Sequence, residues 1–436
     1  MVPFPRALLT GPIPSCLDAL RIAEARLFAI HLTRYVLRED RVCGLLEGEV
    51  VRFLKSLYER SGLILCALAI ATVLVLCALK PQVRSVLVAY DFGSQMFFEH
   101  QPLYDLKRAM GYLYAPAFAA LYLPFYELGP TVGGLLWRVL GVGLLTAAVF
   151  TQAKKLDPEK DGWIVSLGLF LALPLSLGAV RNGQSTILLT AACWFLTMSA
   201  LDNKRWQTLL WSFAALTAKP TAIVVILLIA ALRPRLIPWI VGAVALMLAV
   251  PYAFAPAEYV NAQHLEFFQL LTSMSSNSAR EAFEAADFTG ILAAAGISIT
   301  GPAAMIVRLS VAAIVLGAVF RLDRENEPLH RFVIFLIAAY YMTVFNPRVE
   351  SNTYVMVAVP LGLAVAYLKT REPTSYVPTA LGSMLFLCGW TGIDADLHAA
   401  LNPWFKPMMV TLISVPLLFC LLQKVATLKL SIGKRI

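Results

Sequence analysis

Four short polar clusters interrupt an otherwise apolar chain, and each carries residue types suited to moving a proton or holding an anion. The first is Asp91, followed by Glu99, Tyr104 and Asp105; the second is Arg181-Asn182-Gly183-Gln184; the third is Lys219-Pro220-Thr221; the fourth runs from Asn346 to Asn352 and holds Arg348 and Glu350. A positioned carboxylate such as Asp91 can take a proton from a hydroxyl. Arg181 and Arg348 offer a planar fork to phosphate oxygens, and Lys219 a point charge. Lys219 also stands beside a helix start, where free N–H groups favour an anion. The amides of Asn182, Gln184 and Asn352 can bond ligand hydroxyls, as can Tyr104 and Glu350. Each residue also has a plainer use: Asp91 as a helix cap or salt-bridge partner, Arg181 and Arg348 snorkelling to headgroups, Lys219 paired with a buried carboxylate, and the amides satisfying turn backbone. Glu99 and Asp105 read as solvated loop charges.

The elements that must position these clusters follow from composition. Hydrophobic residues make up 59% of the 436 and charged ones 14%, far from the roughly 45–50% and 25% of soluble domains. Apolar runs of about 17 to 20 residues recur along most of the chain, long enough to cross hydrocarbon as helices. The expected fold class is therefore all-α, a polytopic bundle of about 10–12 transmembrane helices. Three parts are expected: a tail over 1–60, a membrane domain over 61–423 and a short tail over 424–436. The net charge of +9 falls mostly on one set of loops, as cytoplasmic loops require. It is an orientation signal and does not imply a nucleic-acid partner. The seven cysteines lie in the N-terminal tail or in apolar runs, which implies neither a disulfide framework nor metal spacing. No cofactor is expected.

Taken in order, Leu17 to Leu37 has apolar residues at helical spacing with Arg21, Arg26, Arg34 and Arg38 between them, consistent with an interfacial helix or a weakly structured tail. The first span is expected from Gly62 to Leu79, leaving the Asp91 stretch on the outer side. Tyr112 to Leu128 is apolar but short and interrupted by Pro116 and Pro124, so it reads as a partly inserted helix, which protein packing or a cavity must cover. Spans then alternate through Val132–Phe150, Trp163–Ala179 and Thr186–Leu201. Thr208 to Leu232 is broken at Ala218-Lys219-Pro220 and flanked by basic residues on both sides; it is too short for two crossings, so a hairpin of two short helices is expected. Further spans are Ile237–Phe254, Ala303–Phe320, Phe332–Phe345, Tyr354–Leu368, Val377–Trp390 and Met408–Leu422. Pro256 to Asp287 is expected to be an outer loop with amphipathic helices, a lid over a cavity. Both termini then lie in the cytoplasm, and all four polar clusters converge at the outer end. Arg138 and Arg308, inside spans, read as packing or snorkelling residues.

These clusters carry a resemblance. An Asp-Phe pair at Asp91-Phe92 before an aromatic run, then Pro102-Leu-Tyr-Asp105 and Tyr114-Ala-Pro116, resembles the first outer loop of glycosyltransferase family 87, polytopic GT-C enzymes that use polyprenyl-phosphate sugars. The Asn182-Gly-Gln184 turn, Lys219-Pro-Thr221 and a Pro-containing late outer motif recur there in the same order. The resemblance spans roughly Val86 to Ala366. It implies Asp91 as catalytic base, Lys219, Arg181 and Arg348 on the donor phosphate, and Gln184, Asn182, Glu350, Asn352 and Tyr104 on sugar or acceptor. The implied reaction is inverting transfer of a hexose such as mannose, or of a pentose, from a polyprenyl-phosphate donor to a glycolipid or polysaccharide acceptor. Family members are metal-independent, work at the outer face of the inner membrane and depend on membrane lipids. One departure is visible: many members carry an aromatic and His in the late motif, where this chain has Val349-Glu-Ser-Asn-Thr-Tyr354.

A flippase or transporter of lipid-linked sugars is the competing reading. It predicts repeat symmetry and a midplane site, whereas these clusters are biased to one end and no inverted repeat is evident. The transferase reading instead requires that the acid and the cations border one common chamber. Oligomeric state, sugar and acceptor identity are not readable from the chain.

Overall fold

In the computed structural model, the residues described are 43–104, 111–273, 285–323, 327–347, 349–392 and 395–432. Arg348, Asp105, the stretch from Leu17 to Leu37 and residues 274–284 of the expected lid lie outside them. The chain divides into two compact units, Met1–Glu59 and Arg60–Ile436; the first contributes only the opening turns of α1 to the described residues.

Every regular element among the described residues is helical: α1 (Cys43–Leu79), α2 (Leu87–Phe98), α3 (Pro116–Glu127), α4 (Gly129–Leu156), α5 (Asp161–Asn182), α6 (Ser185–Leu201), α7 (Arg205–Ala218), α8 (Ile223–Leu232), α9 (Ile237–Ala249), α10 (Ala257–Ser273), α11 (Phe288–Ala294), α12 (Gly301–Asp323), α13 (Pro328–Val344), α14 (Val355–Arg371), α15 (Tyr376–Cys388), α16 (Ala395–Leu401) and α17 (Phe405–Ile432). Seven helical segments are long and apolar enough to cross a membrane, and α6, α8 and α13 belong to shorter apolar ones. The protein is an all-α polytopic membrane protein.

Burial orders the bundle. The span containing α14 is 89% buried, whereas those of α1 and α12 are 11% buried, so α14 is the central post and α1 and α12 face the surroundings. A helix apolar on every side belongs in such an interior. Its tightest neighbour is α5. A Cβ at Gly362 would stand 2.2 Å from the Gly168 carbonyl oxygen, so the crossing requires glycine. Close backbone approach through small residues is how membrane helices gain dispersion energy when apolar burial no longer discriminates.

The stretch expected to break at Lys219 does so, as two short helices α7 and α8 of 14 and 10 residues. At 1.5 Å per residue these span about 21 and 15 Å, short of a roughly 30 Å hydrocarbon core. The expected re-entrant element is α3, 12 residues starting on Pro116 and carrying Pro124 inside. Proline at the first helical position surrenders an N–H that has no intrahelical partner.

One end of the bundle is clasped by ion pairs. Asp202 accepts Lys155 at 3.3 Å, Lys204 at 3.5 Å and Arg331. Arg233 grips Asp323 through two bonds, one at 2.8 Å, and Arg371 meets Asp157 at 3.2 Å. These residues lie in the basic loops that set the orientation expectation. The other end, where α5 gives way to α6 and where α14 and α17 begin, carries the polar clusters.

Candidate active site

Asp91 sits in the second turn of α2. Tyr90, Gly93, Ser94 and Phe97 of that helix are buried, and their spacing puts them on one face; Asp91 is left half-buried at its edge. That face packs into an aromatic core with Tyr112, Tyr114, Phe118, Tyr122 and Trp137. Gly93 is required there, because a Cβ would stand 2.3 Å from the Tyr112 ring. Ser94 Oγ donates to the Ala119 carbonyl at 2.8 Å and fixes α2 to α3. Burial pushes the Asp91 carboxyl up to about 6, against the hydrogen bond from Tyr122, which works the other way. A carboxylate poised near neutrality can both accept and release a proton at ordinary pH.

The Arg181-Asn182-Gly183-Gln184 cluster is a helix C-cap. Gly183 has φ +70°, its N–H bonds Val180 O at 3.1 Å, and the Gln184 N–H bonds Ala179 O at 3.0 Å, the paired bonds that end a helix on a left-handed glycine. Four groups then hold this cap in place. Val86 N–H donates to Asn182 O at 2.9 Å, and Trp137 Nε1 donates to Gly183 O at 2.9 Å. Tyr90 Oη accepts the Ser185 N–H at 3.0 Å and lies 3.1 Å from Tyr114 Oη. Arg138, 3% exposed, donates to Val180 O, Arg181 O, Gly134 O and Ser85 Oγ. It is no snorkelling residue: its charge faces the carbonyl end of α5, where a cation is favoured. Arg308 likewise does not snorkel, since it pairs with the fully buried Asp287 at 2.6 Å.

The late cluster meets the cap directly. Glu350 precedes the short 3₁₀ turn Ser351–Tyr354 and shares a capping box with Thr353, while its Oε2 accepts Gln184 Nε2 at 3.0 Å. Asn352 faces α5: a Cβ at Gly178 would stand 2.7 Å from Asn352 Oδ1. Three of the four clusters are therefore joined, Asp91 through its neighbour Tyr90, the cap through Gln184 and the late motif through Glu350.

Other expected residues have different surroundings. Tyr104 Oη donates to Tyr114 O at 2.9 Å, and its ring packs on Tyr112 and Phe267, so it ties the first loop to α10. Gln263 of α10 also accepts the Leu103 N–H at 2.9 Å. Glu99 is exposed and holds Gln95. Lys219, half-buried, is the extended residue between α7 and the 3₁₀ turn Pro220–Ala222. Its helix α7 packs against α3. Arg181 contributes its carbonyl to the cap network.

Aromatic rings fill the space between α2, α3 and the cap. Tyr90 contacts Tyr114, Phe118, Tyr122 and Trp137 at centroid distances of 4.9–5.8 Å. A small recess opens beside the cap, lined by Trp137, Arg138, Gly183, Gln184 and Leu188. Among the described residues no group of three or more His, Cys, Asp or Glu could hold a metal ion.

Sequence reasoning missed Tyr90 and Tyr122 and gave Arg138 no more than a packing or snorkelling role.

The family model of glycosyltransferase family 87 matches residues 112–347, more than half of the chain. Within the match lie Arg181, Asn182, Gln184 and Lys219; Asp91 precedes it, and Glu350 and Asn352 follow it. No curated protein and no solved structure matches the chain.

Proposed function

The chain belongs to glycosyltransferase family 87, and from that premise we propose that it transfers a hexose such as mannose, or a pentose, from a polyprenyl-phosphate donor to a glycolipid or polysaccharide acceptor. Asp91 is the general base. It takes the proton of the acceptor hydroxyl as that oxygen bonds to the anomeric carbon, and the electron pair of the breaking C–O bond leaves with polyprenyl phosphate. One displacement inverts the centre, so a β-linked donor phosphate gives an α-linked product. Lys219, Arg181 and Arg348 serve the leaving phosphate, where fixed positive charge stabilises the charge that develops. Asn182, Gln184, Glu350, Asn352 and Tyr104 serve sugar or acceptor. The reaction takes place at the outer face of the inner membrane, with both termini cytoplasmic.

The observation that carries this reading is the linkage from Asp91 through Tyr90 and Ser185 to Gln184 and Glu350. It gives a raised carboxyl and two sugar-binding candidates a common frame. Transfer from a panel of synthetic polyprenyl-phosphate sugars by purified protein tests it. Wild type is expected to use at least one donor, and Asp91→Asn to lose about 10²–10⁴ of that rate, the usual worth of a positioned base. Unchanged transfer by the variant would remove Asp91 from the mechanism.

A further inference from the structure

Ala286 straddles the turn that carries Glu350. Its N–H donates to the Val349 carbonyl at 2.8 Å, and its own carbonyl accepts the Tyr354 hydroxyl at 2.6 Å. The segment from Glu350 to Thr353 is thus held at both ends by one residue distant in the chain, and Val349 and Tyr354 are fully enclosed. The next residue, Asp287, is also fully buried and pairs with Arg308 Nη2 at 2.6 Å. Its other oxygen accepts the Thr289 N–H at 2.8 Å and caps α11. Arg308 in turn donates from Nε to the Phe345 carbonyl at 3.0 Å, at the end of α13. Its guanidinium lies over the Phe288 ring, 5.1 Å from the centroid, and Phe288 stacks on Phe345. One guanidinium therefore ties the residue after Ala286 to the helix end from which the late cluster departs.

Packing alone does not call for this arrangement. The span of α12, which supplies Arg308, is only 11% buried, and a charged residue in an apolar span is costly unless it is turned to a partner. A buried ion pair adds little net stability over apolar side chains of the same volume, so its contribution is better sought in the arrangement that it specifies. Here the pair fixes the backbone beside Ala286, and Ala286 fixes the turn in which Glu350 meets Gln184 at 3.0 Å. We propose that Asp287 and Arg308 are positioning residues: through Ala286 they hold Glu350 in the orientation that receives sugar or acceptor. The effect on substrate rests on the role given to Glu350 above; the clamp on the turn does not.

The test compares wild type with Arg308→Lys, Asp287→Asn, Tyr354→Phe, Glu350→Gln and the double variant Arg308→Lys/Glu350→Gln, each a full chain checked for unfolding temperature. Arg308→Lys keeps the charge but not the fork that serves Asp287 and Phe345 together. Asp287→Asn keeps an oxygen for the α11 cap, and Tyr354→Phe keeps the ion pair but releases one end of the turn. The three break one chain of contacts at different links, so failure of one to fold leaves the others to decide. Amide exchange at residues 350–354 is expected to accelerate by about tenfold or more, as a local opening made easier requires. In sugar transfer KM should rise about tenfold, the worth of one hydrogen bond to a charged group, with kcat nearly unchanged, the mark of lost binding. In the Glu350→Gln background Arg308→Lys should add little to KM, because residues acting through one another are not additive. A merely structural pair would lower the unfolding temperature and leave KM alone. Unchanged exchange at 350–354, an unchanged KM, or a KM rise undiminished in the Glu350→Gln background would overturn the proposal. Accelerated exchange in a protein whose wild type transfers no sugar would keep the clamp and reject the transferase reading.

Discussion

Gln184 Nε2 lies 3.0 Å from Glu350 Oε2 and joins the turn between α5 and α6 to the entry of α14 across 166 residues. Neither residue is in a helix: one follows a left-handed glycine cap, the other opens a capping box. Polar groups at two helix boundaries thus satisfy each other at the end of the bundle where both chains of backbone turn.

That contact is testable by exchange of roles. Gln184→Glu sets two carboxylates against each other and is expected to lower both unfolding temperature and transfer, while Glu350→Gln alone retains a hydrogen-bond acceptor. The double variant restores one donor facing one acceptor. A coupling of about 0.5–3 kcal/mol in a thermodynamic cycle is expected for residues in contact; additive effects would show that the bond contributes nothing.

Asp91 as the proposed base predicts a pH dependence of rate. Its carboxyl is raised from 3.8 to about 6 by burial, and only the ionised form accepts a proton. The value of kcat/KM should therefore fall about tenfold per pH unit below pH 6 and level off above it. A profile flat from pH 5 to 8 would place the titrating base elsewhere.

The same shift predicts a stability difference of known sign. A folded carboxyl with a raised pKa holds its proton more tightly than the unfolded one, so stability is greatest below 3.8 and is lost as pH rises through about 6. Asp91→Asn carries no such charge. Its unfolding temperature should exceed that of wild type at pH 7 to 8, and the gap should close toward pH 4. A gap independent of pH would point to packing alone.

Arg138 is expected to be a positioning residue for the cap. Its guanidinium serves four oxygens on three chain segments, a fork that lysine cannot reproduce. Arg138→Lys should lose about 2–4 kcal/mol from broken charge-assisted bonds. Amide exchange should accelerate at residues 183–185, whose N–H groups bond within the cap, ahead of the remainder of α6. Unchanged exchange there would confine the role of Arg138 to its own helix.

Much of this protein is written locally. The apolar runs, the proline at the start of α3, the broken helix at Lys219 and the basic loops follow from hydropathy, backbone sterics and charge, each acting over a few residues. The order of the four polar clusters is likewise readable, and with it the family. What only the tertiary structure decided is which polar groups meet. That Arg138 caps α5, that Tyr90 reaches Ser185 across 95 residues, and that Arg308 pairs with Asp287 all depend on helix rotation and crossing. These are set by close contacts such as Gly168 against Gly362 and of Tyr112 against Gly93. An apolar helix has no polar face to announce its orientation, so its sequence fixes that it crosses the membrane but not which side chain it turns toward its neighbour.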